Sequence, residues 1–283
     1  MNAAVIVLYN PDYDRLKKNT DAIIGQVDKL IFVDNGKNEE TFLHIKELTE
    51  QNNVVYINNN GNKGIAYALN RAVEYCLKNG YLWLLTLDQD SVCPENLISV
   101  YKKYISYKDI GIISCAINYN NIETVKAGGG DFAYVEQCIT SASLINVNIC
   151  RNLGGYDEDM FIDDVDYEYC YRLRKAGYKI IQTNEVILNH MLGDLKERKF
   201  LFIPIKISNH SAFRKYYIFR NKIYVHRKHP EWKREKEPSL IKEIVKIILY
   251  EKQKYVKIKK ILEAVKDGKK MPIKEKDDYI RIS

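Results

Sequence analysis

Leu82-Trp83-Leu84-Leu85-Thr86-Leu87-Asp88-Gln89-Asp90 is an almost wholly apolar run that ends on two carboxylates one residue apart. A short continuous run of this kind, with no polar alternation, fits a parallel strand covered on both faces. The pattern repeats towards the N-terminus. Ile65 to Asn79 carries apolar residues at 65, 69, 73 and 77, a helical spacing, and Val54-Val55-Tyr56-Ile57 is a strand. Thr41 to Gln51 reads as helix, Leu30-Ile31-Phe32-Val33 as a strand closed by the turn Asp34-Asn35-Gly36, Tyr13 to Gln26 as helix, and Ala3 to Tyr9 as a strand ending at Asn10-Pro11. Strands alternating with helices predict an α/β fold with a doubly wound, mostly parallel sheet. Ligands of such sheets bind beyond the carboxyl ends of the strands. Tyr9-Asn10, Asp34-Asn35, the Asn58–Gly64 loop and Asp88-Gln89-Asp90 all fall there.

The second half is less regular. Strands are expected over Ile110–Ile117, Ile139–Ile145 and Tyr178–Ile181, and a helix over Asp164–Ala176. Gly128-Gly129-Gly130 and Gly154-Gly155 mark a connection and a turn. From Pro238 to Val265, apolar residues at 241, 244, 248, 255, 258, 262 and 265 predict one amphipathic helix.

The 283 residues suffice for one large α/β domain with an appendage, and 46% apolar with 29% charged residues is ordinary for a globular chain. Charge is divided unevenly. Residues 1–198 hold 20 Lys+Arg and 27 Asp+Glu, whereas residues 199–283 hold 24 and 10. The basic end is either a solvated helical face or a surface that meets something anionic. The six cysteines show no CxxC pair and no zinc-type spacing, so they are expected to be free thiols in a reducing cytoplasm. Neither a secretory leader nor an 18-residue apolar span is visible.

Four constellations carry chemistry. Asp88 and Asp90 can share a divalent cation such as Mg2+ or Mn2+, which prefers oxygen ligands and bridges to phosphates; otherwise the pair is a solvated turn. Asp163, Asp164, Asp166 and Glu168 lie among Phe161, Ile162 and Val165, which argues against a purely solvated run. Asp166 there can serve as a general base. His190 is a structural histidine or, beside Asp88 and Asp90, a third metal ligand. Asn62-Lys63-Gly64 enters a helix whose first amides can meet phosphate, or else it is a tight loop–helix junction.

In order, Val7–Pro11, Val33–Gly36, Asn62–Ala66, Leu85–Ser91, Gly154–Glu158, Phe161–Asp166 and Arg214–Tyr217 with Arg220-Asn221 resemble the family 2 glycosyltransferases, particularly the bacterial rhamnosyltransferase-like branch. The resemblance implies a GT-A-type fold, an inverting mechanism and Mg2+ or Mn2+. It implies that Tyr9, Asn10, Asp34, Asn62, Lys63, Gly64 and Asp88 bind the nucleotide sugar. Asp88, Asp90 and His190 then hold the metal, and Asp166 is the base. The expected donor is dTDP-rhamnose, with UDP-hexoses and UDP-galactofuranose as alternatives. The expected acceptor is a surface glycan, free or carried on a polyprenyl diphosphate at the inner face of the plasma membrane. The domain plan that follows is a catalytic domain over 1–221, with its nucleotide-sugar half at about 1–110 and its acceptor half at about 111–221. A basic helical extension occupies 222–283 and is open to membrane contact or homodimerisation.

The rivals are a noncatalytic carbohydrate- or nucleotide-binding module, a nucleotidyltransferase and a nucleic-acid binder. The first should lack the carboxylates that are present. The second should carry a Gly/Arg-rich phosphate loop where this chain has Tyr9-Asn10-Pro11. The third rests on the basic end alone, and no nucleic-acid partner is expected.

Overall fold

The computed structural model describes residues 1–36, 40–50, 52–119, 123–190, 196–200, 203–207, 209–232 and 239–274. Two compact units divide the chain: Met1–Phe161 with Val165–Met191, and Ile162–Asp164 with Leu192–Glu275.

The first unit is built as the apolar runs dictate. Strands β1 (Asn2–Leu8), β2 (Lys29–Asp34), β3 (Val54–Asn58) and β4 (Trp83–Asp88) alternate with helices α1 (Tyr13–Ile23), α2 (Glu40–Thr49) and α3 (Ile65–Lys78). They pair in parallel in the order β3-β2-β1-β4. Every residue of β1 is buried, the signature of a strand covered on both faces. After α4 (Leu97–Tyr101) come β5 (Ile110–Tyr119), β6 (Glu123–Val125), β7 (Phe132–Val135), β8 (Ser143–Asn146), α5 (Val147–Asn152), α6 (Val165–Lys175) and β9 (Lys179–His190). They extend the sheet as β4-β8-β5-β9-β7, with β8 antiparallel to both β4 and β5, and β5 parallel to β9. The sheet is therefore parallel through its N-terminal half and mixed beyond it.

Two expectations are corrected in this half. The strand foreseen over 139–145 is confined to β8, and the one foreseen over 178–181 continues as β9 to His190. β9 carries its polar stretch in an irregularity, where Cys115 faces Thr183 but Ala116 faces Ile187. A bulge of this sort bends and twists a strand, and it delivers His190 to the end of the sheet where the acidic residues stand.

The second unit holds the hairpin β10 (Lys196–Phe200) and β11 (Ile203–Ile207), with helices α7 (Ala212–Lys228), α8 (Leu240–Tyr250) and α9 (Lys254–Lys270). The domain boundary expected at 221/222 falls inside α7. The single helix expected over 238–265 is two helices, broken at Gln253 in the left-handed region (φ 53°). The expected start at Pro238 and the last residues, 275–283, lie outside the described residues.

Phe219, Ile247, Ile261 and Ala264 form the apolar centre of this unit. Beside it is a buried charge network. Lys215 Nζ donates to Glu243 (2.6 Å) and Glu251 (3.0 Å), while Lys257 Nζ donates to Glu251 (2.7 Å) and to Asn209 Oδ1 (2.8 Å). Buried charges persist only when paired in this way, so Glu251 ties α7 to the α8–α9 junction. Gly268 lets α7 and α9 approach closely, since a Cβ there would lie 2.6 Å from the Arg220 carbonyl oxygen.

Candidate active site

The acidic end of β4 is fixed from several sides. Asn19 Nδ2 donates to the Asp88 carbonyl (2.8 Å), and Arg15 Nε donates to the Asp90 carbonyl (2.9 Å). Gln89 clasps the end of β1: the Tyr9 amide donates to Gln89 Oε1 (2.8 Å), and Gln89 Nε2 donates to the Tyr9 carbonyl (3.2 Å). Tyr9 and Asn10 are thereby held beside the two carboxylates, with the Tyr9 side chain exposed and Asn10 in the left-handed region (φ 46°). The Asp88 carboxylate accepts a hydrogen bond from the Ser141 hydroxyl.

His190 reaches this turn. Its Nδ1 lies 2.9 Å from the hydroxyl of Ser91, which is buried and follows Asp90 directly. Its ring meets that of Tyr119 edge to face at 5.9 Å. With Nδ1 turned to Ser91, Nε2 is the ring nitrogen presented elsewhere, as in histidines oriented by a second hydrogen bond. Among the described residues, no three His, Cys, Asp or Glu side chains converge closely enough to hold an ion. Two carboxylates with one imidazole are nonetheless a donor set that suits Mg2+ or Mn2+, with substrate phosphate completing the shell.

Asp34 is fully buried at the end of β2. Its Oδ1 accepts from the Gly36 amide (2.6 Å) and its Oδ2 from the Tyr56 hydroxyl (2.7 Å). Burial, then that bond and the carboxylate's charge, push the Tyr56 hydroxyl well above its ordinary pKa. Each oxygen keeps a second acceptor site, but the side chain is fully buried, so direct contact with a base or ribose requires Asp34 to be uncovered.

The Asn62–Gly64 loop is tied inward. The amide of Gly64 donates to Asn62 Oδ1 (3.0 Å), that of Ile65 to the Phe161 carbonyl (2.7 Å), and that of Lys63 to Asn35 Oδ1 (3.5 Å). Three amides of the expected phosphate cradle, those of Lys63, Gly64 and Ile65, thus meet protein acceptors. What the loop offers a ligand is the exposed side chains of Asn62 and Lys63. Gly64 has its own reason to be glycine: φ is +91°, and a Cβ would sit 2.6 Å from the Phe161 carbonyl oxygen and 2.8 Å from its Cα. We expect Gly64→Ala to lose on the order of 3 kcal/mol of stability through strain and overpacking. A urea unfolding midpoint equal to the wild type would refute this packing role.

The acidic stretch after Phe161 is sorted by its partners. Asp163 is held by Arg214 (3.1 Å) within the second unit, where burial raises its pKa and Arg214 counters part of that rise. Glu168 is fully buried, and Arg172 Nε donates to both its oxygens (2.8 and 2.9 Å). Arg172 also donates to the Leu153 and Gly155 carbonyls (2.6 and 2.7 Å), which fixes the Gly154-Gly155 turn. Asp166, in the first turn of α6, accepts from the Tyr167 amide (2.9 Å) and lines a narrow cleft with Cys138, Thr140, Tyr156 and Tyr169. Phe161, Asp163 and Asp164 all have φ between +63° and +65°. Such strain in non-glycine residues concentrates at functional sites.

A cavity of about 150 Å3 lies between these parts of the first unit. Ser141, the partner of Asp88, and Tyr167, the neighbour of Asp166, are both on its wall, with Tyr119, Gln137, Ile139 and Gln182. It shares Cys138 and Ile139 with the Asp166 cleft. Sequence reasoning missed Gln89, Ser91, Ser141, Gln137 and Gln182. Gln89 and Ser91 were visible as the neighbours of Asp90, whereas Ser141, Gln137 and Gln182 carried no signal.

Residues 3–163 match the family described as glycosyl transferase family 2. The chain is 29% identical over 245 residues to the dTDP-rhamnosyl transferase RfbF of Shigella flexneri, covering 80% of this chain and 79% of that protein. Its fold resembles the mannosyltransferase PcManGT of Pyrobaculum calidifontis, solved with GDP-Man and Mn2+ (TM-score 0.59, 14% identity, 96% of this chain and 75% of that one). It also resembles GalNAc-T7 solved with UDP, GalNAc and Mn2+ (TM-score 0.59, 15% identity, 86% of this chain), of which it spans about half, 53%.

Proposed function

This chain is a member of glycosyl transferase family 2, a glycosyltransferase of GT-A fold, and we propose that it moves rhamnose from dTDP-rhamnose to a hydroxyl of a surface glycan with inversion. The donor follows the name of the Shigella relative; UDP-hexoses and UDP-galactofuranose are the alternatives. The acceptor, free or carried on a polyprenyl diphosphate, is presented at the cytoplasmic face of the membrane. The observation that carries the reading is the cavity whose wall joins Ser141, on Asp88, to Tyr167, beside Asp166. On this reading the cavity receives the sugar, with the carboxylates at the end of β4 on one side and the carboxylate at the start of α6 on the other.

Asp88, Asp90 and His190 would hold Mg2+ or Mn2+, which when bound neutralises charge on the leaving diphosphate. Lys63 and Asn62 meet the donor at the loop before α3. Asp166 takes the proton of the acceptor hydroxyl as its oxygen bonds to the anomeric carbon, while the bond from that carbon to the diphosphate oxygen breaks on the opposite side. A single displacement inverts the anomeric centre and releases the nucleoside diphosphate. Arg214 on Asp163 and Arg172 on Glu168 commit two of the neighbouring acids to structure; of the remaining two, Asp164 and Asp166, the base role is given to Asp166, which lines the cleft beside the cavity.

Thermal unfolding with dTDP, UDP and GDP, with and without Mn2+, tests the reading. A ligand at a hundredfold excess over its Kd adds about 2.7 kcal/mol to native stability. dTDP with Mn2+ is expected to raise Tm most. A shift with UDP alone would move the donor to the UDP sugars, and no shift with any nucleotide would refute donor binding.

A further inference from the structure

The break at Gln253 divides the basic end into two helices, each with a buried and an exposed side. α8 buries Glu243 and Ile247, and α9 buries Lys257, Ile261, Ala264 and Gly268. The opposite sides face outward. On α8 that side is Ile241 (74% exposed), Val245, Ile248 and Leu249, at helical spacings of four, three and one. On α9 the exposed positions 255, 259, 262, 266 and 270 recur every three or four residues and read Tyr-Lys-Leu-Lys-Lys, with Tyr255 79% exposed. The apolar residues 241, 248, 255 and 262 of the stripe seen in the sequence are thus turned away from the unit's own centre.

A surface cluster of large apolar residues on a globular chain marks an interaction site. Its charge decides among partners. Within 239–274 there are 11 lysines and four acids. Two of those acids, Glu243 and Glu251, are consumed by the buried network, and a third, Glu263, pairs with Lys260. The outward face is therefore aliphatic and aromatic, set among exposed lysines at 242, 252, 254, 259, 266, 269 and 270. A second copy of the same face would bring lysine against lysine. Helices that pair an apolar face with lysines, and that are too short or too polar to span, lie in the plane of an anionic bilayer. Among the described residues, no helix is long and apolar enough to cross a membrane.

We propose that α8 and α9 form a seat for an anionic phospholipid bilayer. Ile241, Val245, Ile248, Leu249, Tyr255 and Leu262 enter the headgroup–acyl boundary, and Lys259, Lys266 and Lys270 contact lipid phosphate. The proposal is independent of the identity of the sugar and of the catalytic assignments.

Flotation of the full chain with vesicles of phosphatidylcholine alone, or mixed with phosphatidylglycerol, tests it. The wild type is expected to float with the mixed vesicles, much less with the neutral ones, and to be released by high salt. Ile241→Glu with Ile248→Glu should cut binding roughly tenfold or more by removing buried apolar area, and Lys259→Glu with Lys266→Glu should abolish the preference for anionic lipid. All four positions are exposed, so the variants should keep the wild-type Tm and its nucleotide-induced shift. A wild type that ignores both vesicle types, or variants that float as it does, would overturn the seat. A wild-type dimer in sedimentation that the Ile variants split, without flotation, would overturn it in favour of a second copy of the chain.

Discussion

Asp166→Asn is expected to keep donor binding and lose turnover, by on the order of 10²-fold or more in kcat. The amide has the shape of the carboxylate and can still accept from the Tyr167 amide. It cannot take the acceptor's proton, so the loss should fall on the chemical step and leave the Tm shift with dTDP and Mn2+ unchanged. The neighbouring acids supply the control. Asp163→Asn weakens the pair with Arg214 and should lower stability more than turnover. Glu168→Gln leaves Arg172 buried beside a neutral partner, which is costly to the fold and not a catalytic test. Single-turnover kinetics on the set decides the register. If Asp164→Asn is inert and Asp166→Asn transfers sugar at the wild-type rate, the base is Asp164 and the roles assigned within 163–166 are shifted by two.

The N-terminal half was legible because β1, β2 and β4 are buried on both faces. β1 and β4 read as unbroken apolar runs, and their ends marked where the polar residues gather. The second half hid its order for physical reasons. β6 and β7 are three and four residues long, too short for alternation to register. β9 places Gln182, Thr183, Asn184 and Glu185 between two apolar runs, the first two paired with β5 and the other two taken up with Val186 in the irregularity that follows, so periodicity divides one strand. The break between α8 and α9 carries no glycine or proline. The apolar stripe steps from 248 to 255 by one heptad and runs straight through it, while what ends α8 is a network of Lys215, Glu251 and Lys257 that only tertiary contact reveals.

Much the same holds for the site. The carboxylates and His190 declare themselves by residue type, whereas the groups that hold them come from distant segments. Ser141 lies 53 residues from Asp88, and His190 lies 99 from Ser91. The four acids in 163–168 would repel one another if all were charged and unpaired. One of the two resolving partners was readable, since Glu168 and Arg172 stand at the i,i+4 spacing of helical ion pairs. The other, Arg214, was not. Of the two roles open to the Asn62–Gly64 segment, amides for phosphate or a tight loop–helix junction, Gly64 fills the second, and the backbone it makes room for is that of Phe161. From sequence a close approach to a ligand and a close approach to the chain look alike.

Asp90→Ala should abolish metal-dependent donor affinity without disturbing the turn that presents it. That turn is pinned through main-chain groups and other side chains: Arg15 on the Asp90 carbonyl, Asn19 on the Asp88 carbonyl, and Gln89 on the Tyr9 backbone. None of them uses the Asp90 carboxylate, so the substitution removes a ligand and leaves the frame. Calorimetric titration of dTDP with and without Mn2+ measures the effect. The wild type should bind more tightly with Mn2+, and the variant should lose roughly 100-fold in that condition while its metal-free affinity changes little. Ser141→Ala, which only releases the Asp88 carboxylate from its hydroxyl partner, should lose roughly tenfold, as removal of an orienting group around a metal ligand does. His190→Ala should fall between the two if Nε2 is the third ligand. An Asp90→Ala protein that binds dTDP as tightly as the wild type, and with the same dependence on Mn2+, places the metal elsewhere and reduces Asp88-Gln89-Asp90 to a turn that orders the end of β4.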